Sequence, residues 1–370
     1  MAETTIDSGN NVEQWADKLF VEYVRINPFR SLMGNDENSC IQVKEELVKE
    51  AGDQVHFSLI GRLKGAGVEN DNTLMGNEEN MPNYSCSVTV NQLRHGVVVS
   101  QHEQVKTKID LLNAARSQVR TWAWEKLRDL CLSRMFSPVV DGLTTYSAAT
   151  ETQKDAWSVA NNPSTDNQRI VFGASLSNYS GVHATDLAKI DGTADDAHQN
   201  IIRLLKRRAQ NCDPHIRPVV VPGNEMNVGG ERFYALMGSL AMRDLKANFE
   251  TTLANADVRG DGNILFAGTV LKVDNVVCVE VPEMDYTPAN GGCLLENVGD
   301  SSTTDVGPIF LLGAQALILA WSKRTSIKTD EWDYQNKRGV AVAETRGCKK
   351  TTFNSFMHGQ CTGYVSAVGD

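Results

Sequence analysis

No glycine-rich loop followed by Lys and Ser or Thr occurs in this chain, and no glycine fingerprint opens a helix after a strand, so both common phosphate cradles are excluded. Gly65-Ala66-Gly67 lacks the third glycine of such a fingerprint and lies in a polar stretch, where a turn is expected. Closely spaced cysteines are also missing. Cys40, Cys86, Cys131, Cys212, Cys278, Cys293, Cys348 and Cys361 are scattered without a close pair, and the histidines form no two-turn metal pair, so the thiols read as reduced core residues. Asp257, Asp261 and Asn263 carry a fragment of a calcium loop, but position 268 is Gly where a bidentate Glu is needed. Glu78 and Glu79 are neighbours outside any cleft and have no means of acting as an acid and base pair. No catalytic residue, cofactor or metal is expected.

Positive charge is short as well. The chain has 36 Lys and Arg against 46 Asp and Glu, a net charge of -10. That balance argues against a surface built to neutralise phosphates, so nucleic acid, if present, is contained rather than gripped. Long apolar runs are absent. The most apolar segment, 309–321, is interrupted by Gly313 and Gln315 and falls short of the roughly 20 residues a membrane span needs, so it reads as core. MAETTIDSGN shows no charged-then-apolar leader, which gives the expectation of a protein made and folded in a cytoplasm. At 41% hydrophobic and 22% charged residues the composition is that of a folded chain.

What is present centres on residues 41–101. Tyr84, Cys86, Val88 and Val90 alternate with Ser85, Ser87, Thr89 and Asn91, and Val55, Phe57 and Leu59 alternate on the incoming side, which predicts two half-buried strands. Between them GRLKGAGVENDNTLMGNEENMP, residues 61–82, is too long for a compact loop and too polar to form a core. It reads as an arm that another chain must cover. Elsewhere the spacing predicts a short helix over 12–26 and a long one over 103–136, with a basic stripe that includes Arg120 and Arg128. Further helices are expected over 195–211 and 230–249, with strands at 219–221, 264–266, 276–281, 339–345 and 359–367. Residues 143–167 read as turns and 291–307 as a surface loop. Strands and helices interleave irregularly, so the fold class is α+β.

The block IQVKEELVKEAGDQVHFSLIGRLKGAGVENDNTLMGNEEN, then NQLRHGVVVS, HIRPVVVPG, ERFYALMGSLAMRDLKAN, NILFAGTVLKVDNVVCVE, GPIFLLGAQALILAWSK and YQNKRGVAVAETRGCKKTTFN, resembles in content and order the major capsid proteins of tailed double-stranded DNA bacteriophages, in the branch typified by coliphage N-four. It lapses over 143–167 and 291–307. The resemblance implies the Hong Kong-type capsid fold. It places an N-terminal arm at 1–40, the extended loop at 41–101, a peripheral domain at 102–194 with its spine helix within 103–136, an axial domain at 195–323, and return strands at 324–370.

By the same implication the protein is structural and not an enzyme. Its partners are copies of itself in hexamers and pentamers, decoration, scaffolding and portal proteins, and enclosed double-stranded DNA without sequence-specific binding. It would reside in the virion after assembly in the host cytoplasm. The expected inter-subunit contacts are Leu63, Lys64, Gly65, Gly67, Val68, Leu74, Met75, Gly76, Asn77, Glu78, Glu79, Arg120 and Arg128. Lys64 is the only lysine of the arm, and no covalent crosslink is expected from it. The alternative is a soluble α+β enzyme with an unrecognised active site and a swapped arm.

Overall fold

The computed structural model describes residues 28–45, 52–107, 109–220, 230–254 and 270–369. The helix expected over 12–26, the strand expected over 264–266 and the calcium-like fragment lie outside the described residues.

The chain forms two compact units. One contains Leu93–Glu125 and Thr325–Glu344, the other Asn27–Gln92, Lys126–Arg324 and Thr345–Asp370. In chain order the first elements are β1 Met33–Gly34, β2 Ile41–Lys44, β3 Gln54–Ile60, β4 Asn83–Thr89, β5 Asn91–Ser100, α1 Gln101–Lys106, α2 Leu111–Met135 and α3 Glu151–Asn161. Next come β6 Ile170–Phe172, α4 His183–Leu187, α5 Gln199–Asn211, β7 Val219–Val220, β8 Glu231–Met237, α6 Ser239–Ala254, β9 Val270–Val273 and β10 Val276–Glu280. The chain closes with β11 Val306–Leu312, β12 Leu317–Trp332, β13 Lys337–Lys350, β14 Thr352–Phe353, β15 Phe356–Met357 and β16 Gln360–Ser366.

The larger unit is organised by a sheet in the order β6-β16-β11-β8-β10-β9, with β7 paired to β8. β11 runs antiparallel to β16 from Val306↔Ser366 to Leu312↔Gln360, while β8 and β10 are parallel. Every residue of β11 and β16 is buried, because both faces of this sheet are covered. On one face Phe310, Leu312, Leu236 and Tyr364 pack with Leu132 and Met135 of α2. On the other, Ile309, Leu311, Cys361 and Val365 pack with Ile201 and Leu205 of α5 and Met242 and Leu245 of α6. The apolar segment 309–321 is therefore core, and all eight cysteines are free and buried.

Four expectations are corrected in the larger unit. The helix read over 230–249 is a strand followed by a helix, since β8 lies between β10 and β11 and sends Phe233, Ala235 and Met237 to one face and Leu236 to the other. The Asp285 carboxylate accepts from the Ser239 N–H at 2.6 Å, which opens α6 only after β8 has ended. The helix read from 195 starts at Gln199, because the buried Asp195 carboxylate instead accepts from the Ala174 and Asp191 N–H groups at 2.6 and 3.0 Å. The 143–167 region holds α3, begun by a capping box between Thr150 and Gln153. The 291–307 loop is no plain surface excursion: Cys293, Leu294 and Leu295 are buried, and Leu295 exchanges backbone hydrogen bonds of 2.9 Å with Val306.

In the smaller unit β12, β13 and β5 are neighbours in that order. Val119 and Ala123 of α2 bury against Val342, and the His95 ring stacks on Trp122 at 4.4 Å. The single long helix expected over 103–136 is two helices. α1 ends at Thr107, whose backbone is extended, and the Asp110 carboxylate accepts from the Asn113 N–H at 3.1 Å to start α2. The Gln104 carboxamide spans the break, donating to the Ile109 carbonyl at 2.9 Å and accepting from the Leu111 N–H at 3.1 Å. Side-chain caps thus interrupt a helix in a stretch with neither Gly nor Pro. The 25 residues of α2 give about 37 Å of rod.

Candidate inter-subunit surface

β3 and β4 form an antiparallel ladder with Val55 opposite Val88, Phe57 opposite Cys86 and Leu59 opposite Tyr84. The alternation read from the sequence has its physical cause here: Val55, Cys86, Val88 and Val90 bury one face of the pair against Ile318, Ala320 and Phe353. The opposite face, with His56, Ser58, Ser85 and Thr89, is exposed.

Residues 61–82 continue from this ladder with neither strand nor helix. The Gly61 N–H donates to the Pro82 carbonyl at 2.8 Å and closes the base. Beyond it Glu79 braces the two legs, its carboxylate accepting from the Lys64 N–H at 2.7 Å and the Gly65 N–H at 2.6 Å. Those two backbone donors hold the Glu79 carboxyl below its ordinary range. A Cβ at Gly65 would stand 2.8 Å from the Glu79 carboxylate oxygen, so a larger residue there would push the end of that side chain aside. At the tip the Asn77 N–H donates to the Leu74 carbonyl at 2.9 Å, the Glu78 carboxylate accepts from the Gly76 N–H at 2.7 Å, and Gly76 takes a φ of 89° open chiefly to glycine.

Most of the arm's apolar side chains find little cover in their own subunit. Leu63 is 62% exposed, Leu74 61%, Met75 84% and Met81 56%. Gly67 and Asn77 are exposed as well, and Val68 is partly buried.

Among the described residues, ion pairs tie the first leg to the body at Asp213. Arg62 lies 3.3 Å from one Asp213 oxygen, and the Lys64 ammonium donates to the other. These cations, the Lys64 hydrogen bond foremost, hold Asp213 below the usual carboxylate range. Asp213 stands just past α5. The Asn167 side chain accepts from the Asp213 N–H at 3.3 Å and donates to its carbonyl at 3.0 Å.

The candidates on α2 divide. Arg120 is exposed. Arg128 is turned inward, 12% exposed, and pairs with Asp129 at 3.0 Å and Glu283 at 3.2 Å. Glu79 and Lys64 are thus partly engaged within their own chain, and Asp213 and Asn167 join them from positions that the sequence did not single out. Neither residue has a local signal, because the juxtaposition spans 149 residues.

Three comparisons bear on this geometry. A profile of the family described as "Phage capsid protein" matches residues 3–363. The chain is 27% identical over 334 residues to the major capsid protein of Pseudomonas phage KPP25, covering 87% of this chain and 84% of that protein. It is 32% identical to the capsid asymmetric unit of cyanophage Pam1, with a TM-score of 0.89 and 100% of each chain covered. The capsid of Ralstonia phage GP4 shares the fold at 23% identity and a TM-score of 0.71, covering 100% of this chain and 99% of that one.

Proposed function

Because this chain belongs to the phage capsid protein family, we propose that it works as a major capsid protein whose arm, residues 61–82, orders each shell contact by lying across an adjacent copy. The observation that carries this is the exposure of Leu63, Leu74, Met75 and Met81 on a ribbon that its own subunit holds through Glu79 and through Arg62 and Lys64. A side chain such as Leu74 or Met75 is worth about 1.5–3 kcal/mol when fully transferred from water, before ordering costs. Repeated around a closed shell, such modest contacts multiply. Family membership supports the shell reading over the enzyme alternative.

Within that role the extended loop is 41–101, the spine element is α2, and the axial part is drawn from 195–323. Hexamers and pentamers are the assembly units, with portal, scaffolding and decoration proteins as further partners. The net charge of -10 suits a container in which packed double-stranded DNA slides without being gripped. Assembly takes place in the host cytoplasm, and the protein acts without turnover.

Deletion of residues 65–79 tests the proposal. The shortened chain should remain folded by circular dichroism, and size-exclusion chromatography with negative-stain microscopy should show no shells. Normal shells from that variant would overturn the arm's assignment.

A further inference from the structure

The polar contacts at the arm's root do not resemble a flexible tether. Two cations separated by one residue on the outgoing leg, Arg62 and Lys64, converge on the two oxygens of a single carboxylate, Asp213. The carboxylate makes no other hydrogen bond among the described residues. Its backbone is held from both sides by the Asn167 carboxamide. The next residue is held too, for the buried Arg169 guanidinium donates to the Pro214 carbonyl at 2.6 Å. The backbone that carries Asp213 is therefore anchored to the body, while the arm that meets it has no core of its own.

We propose that Asp213 is a positioning residue for assembly: it latches Arg62 and Lys64 so that each subunit presents its arm already aimed before a neighbour arrives. This rests on the arm being an inter-subunit element. A bare ribbon of 22 residues samples many directions, and each must be given up on docking. Fixing the direction of its first leg removes part of that cost in advance. Asp213 and Glu79 act at different points, since Glu79 ties leg to leg through backbone N–H groups and Asp213 ties the leg to the body through side chains. The latch is ionic and exposed, with side-chain exposure of 58% for Lys64 and 39% for Asp213, so salt weakens it.

The test compares full-length Asp213→Asn with the parent, using unassembled subunits for hydrogen exchange and the same protein for assembly. Exchange in peptides covering 61–82 should quicken roughly two- to fivefold, the range expected of an exposed ion pair. Exchange in β11 and β16 should stay unchanged. The protein concentration needed for shells should rise by a similar factor, and Lys64→Asp combined with Asp213→Lys should restore both. Arg62→Ala with Lys64→Ala, on the exposed arm, supplies the same test should the Asp213 variant fold poorly. Unchanged arm exchange would overturn the latch. Faster exchange with an unchanged concentration threshold would overturn its role in assembly. Neither result touches the arm's place between subunits, which the deletion of 65–79 judges separately.

Discussion

The Lys350 ammonium donates to the Ser137 carbonyl oxygen at 2.8 Å from a site that solvent does not reach. The Trp157 ring lies 5.3 Å from that nitrogen and the Met357 sulfur 3.9 Å, and no carboxylate stands among these neighbours. Burial lowers Lys350 to about 7. Above that pH the folded chain holds the amine neutral while the unfolded chain still binds a proton, so stability rises with pH from about 7 until unfolded thiols ionise near pH 8.5. The slope from this group is about 1.4 kcal/mol per pH unit. Urea unfolding of isolated subunits at several pH values should show the rise in the parent and its loss in Lys350→Met. An equal slope in the variant would count against the buried amine as its source.

His183 carries the opposite end of the pH range. Its Nε2 lies 3.3 Å from the Tyr146 hydroxyl and its Nδ1 3.3 Å from the Ser158 hydroxyl, within a cage that includes the Trp157, Phe172 and Tyr364 rings. Burial, helped by the nearby Lys154 charge, lowers it to about 3, and burial lowers His358 to about 4. Both remain neutral in the fold while the unfolded chain takes up protons below about pH 6.5, so their contribution is intact above that pH and is lost as pH falls toward 3. His183→Gln should flatten the acid limb of a stability-against-pH curve, leaving the share due to His358. A limb as steep as the parent's would show that His183 does not contribute.

Glu79→Gln keeps the size of the side chain but removes the charge that two N–H groups share. Amide exchange at Lys64 and Gly65 should quicken, while the melting temperature of the isolated subunit should stay that of the parent, as for other surface changes. A large loss of global stability would mean that the arm is part of the core.

Phe310 sits in the central strand of the larger sheet, fully buried and 6.1 Å from the Phe136 ring. Phe310→Ala should cost about 3–5 kcal/mol through lost transfer energy and the cavity left behind. Urea titration of the subunit measures this directly. A cost under about 1 kcal/mol would mean that the sheet repacks.

Replacing Met75, 84% exposed at the arm tip, by Glu should leave the subunit's melt unchanged and reduce shell yield. Equal yields of shells by negative-stain microscopy would remove Met75 from the contact.

Several parts of the fold were legible because their cause is local. The alternation from Tyr84 to Val90 marks a strand with one buried face, and the ladder with β3 buries that face. The apolar run 309–321 reads as core because β11 is covered on both sides. The capping box at Thr150 and Gln153 is also present in the letters, in a region whose small polar residues read as turns. Other features had no local cause to find. ERFYALM carries a helix-like spacing, yet its place between β10 and β11 makes it a strand.

The order of residues by itself determined a chain with a half-buried hairpin, a polar ribbon unable to bury itself, reduced thiols and a net negative charge, since each follows from side-chain chemistry and spacing alone. Only the tertiary structure decided that Asp213 meets Arg62 and Lys64, that Arg128 turns inward to Glu283, and that Lys350 and His183 are sealed from water. Those outcomes depend on which distant segments share a neighbourhood, and pairing energies and desolvation arise only once packing has set that distance and dielectric.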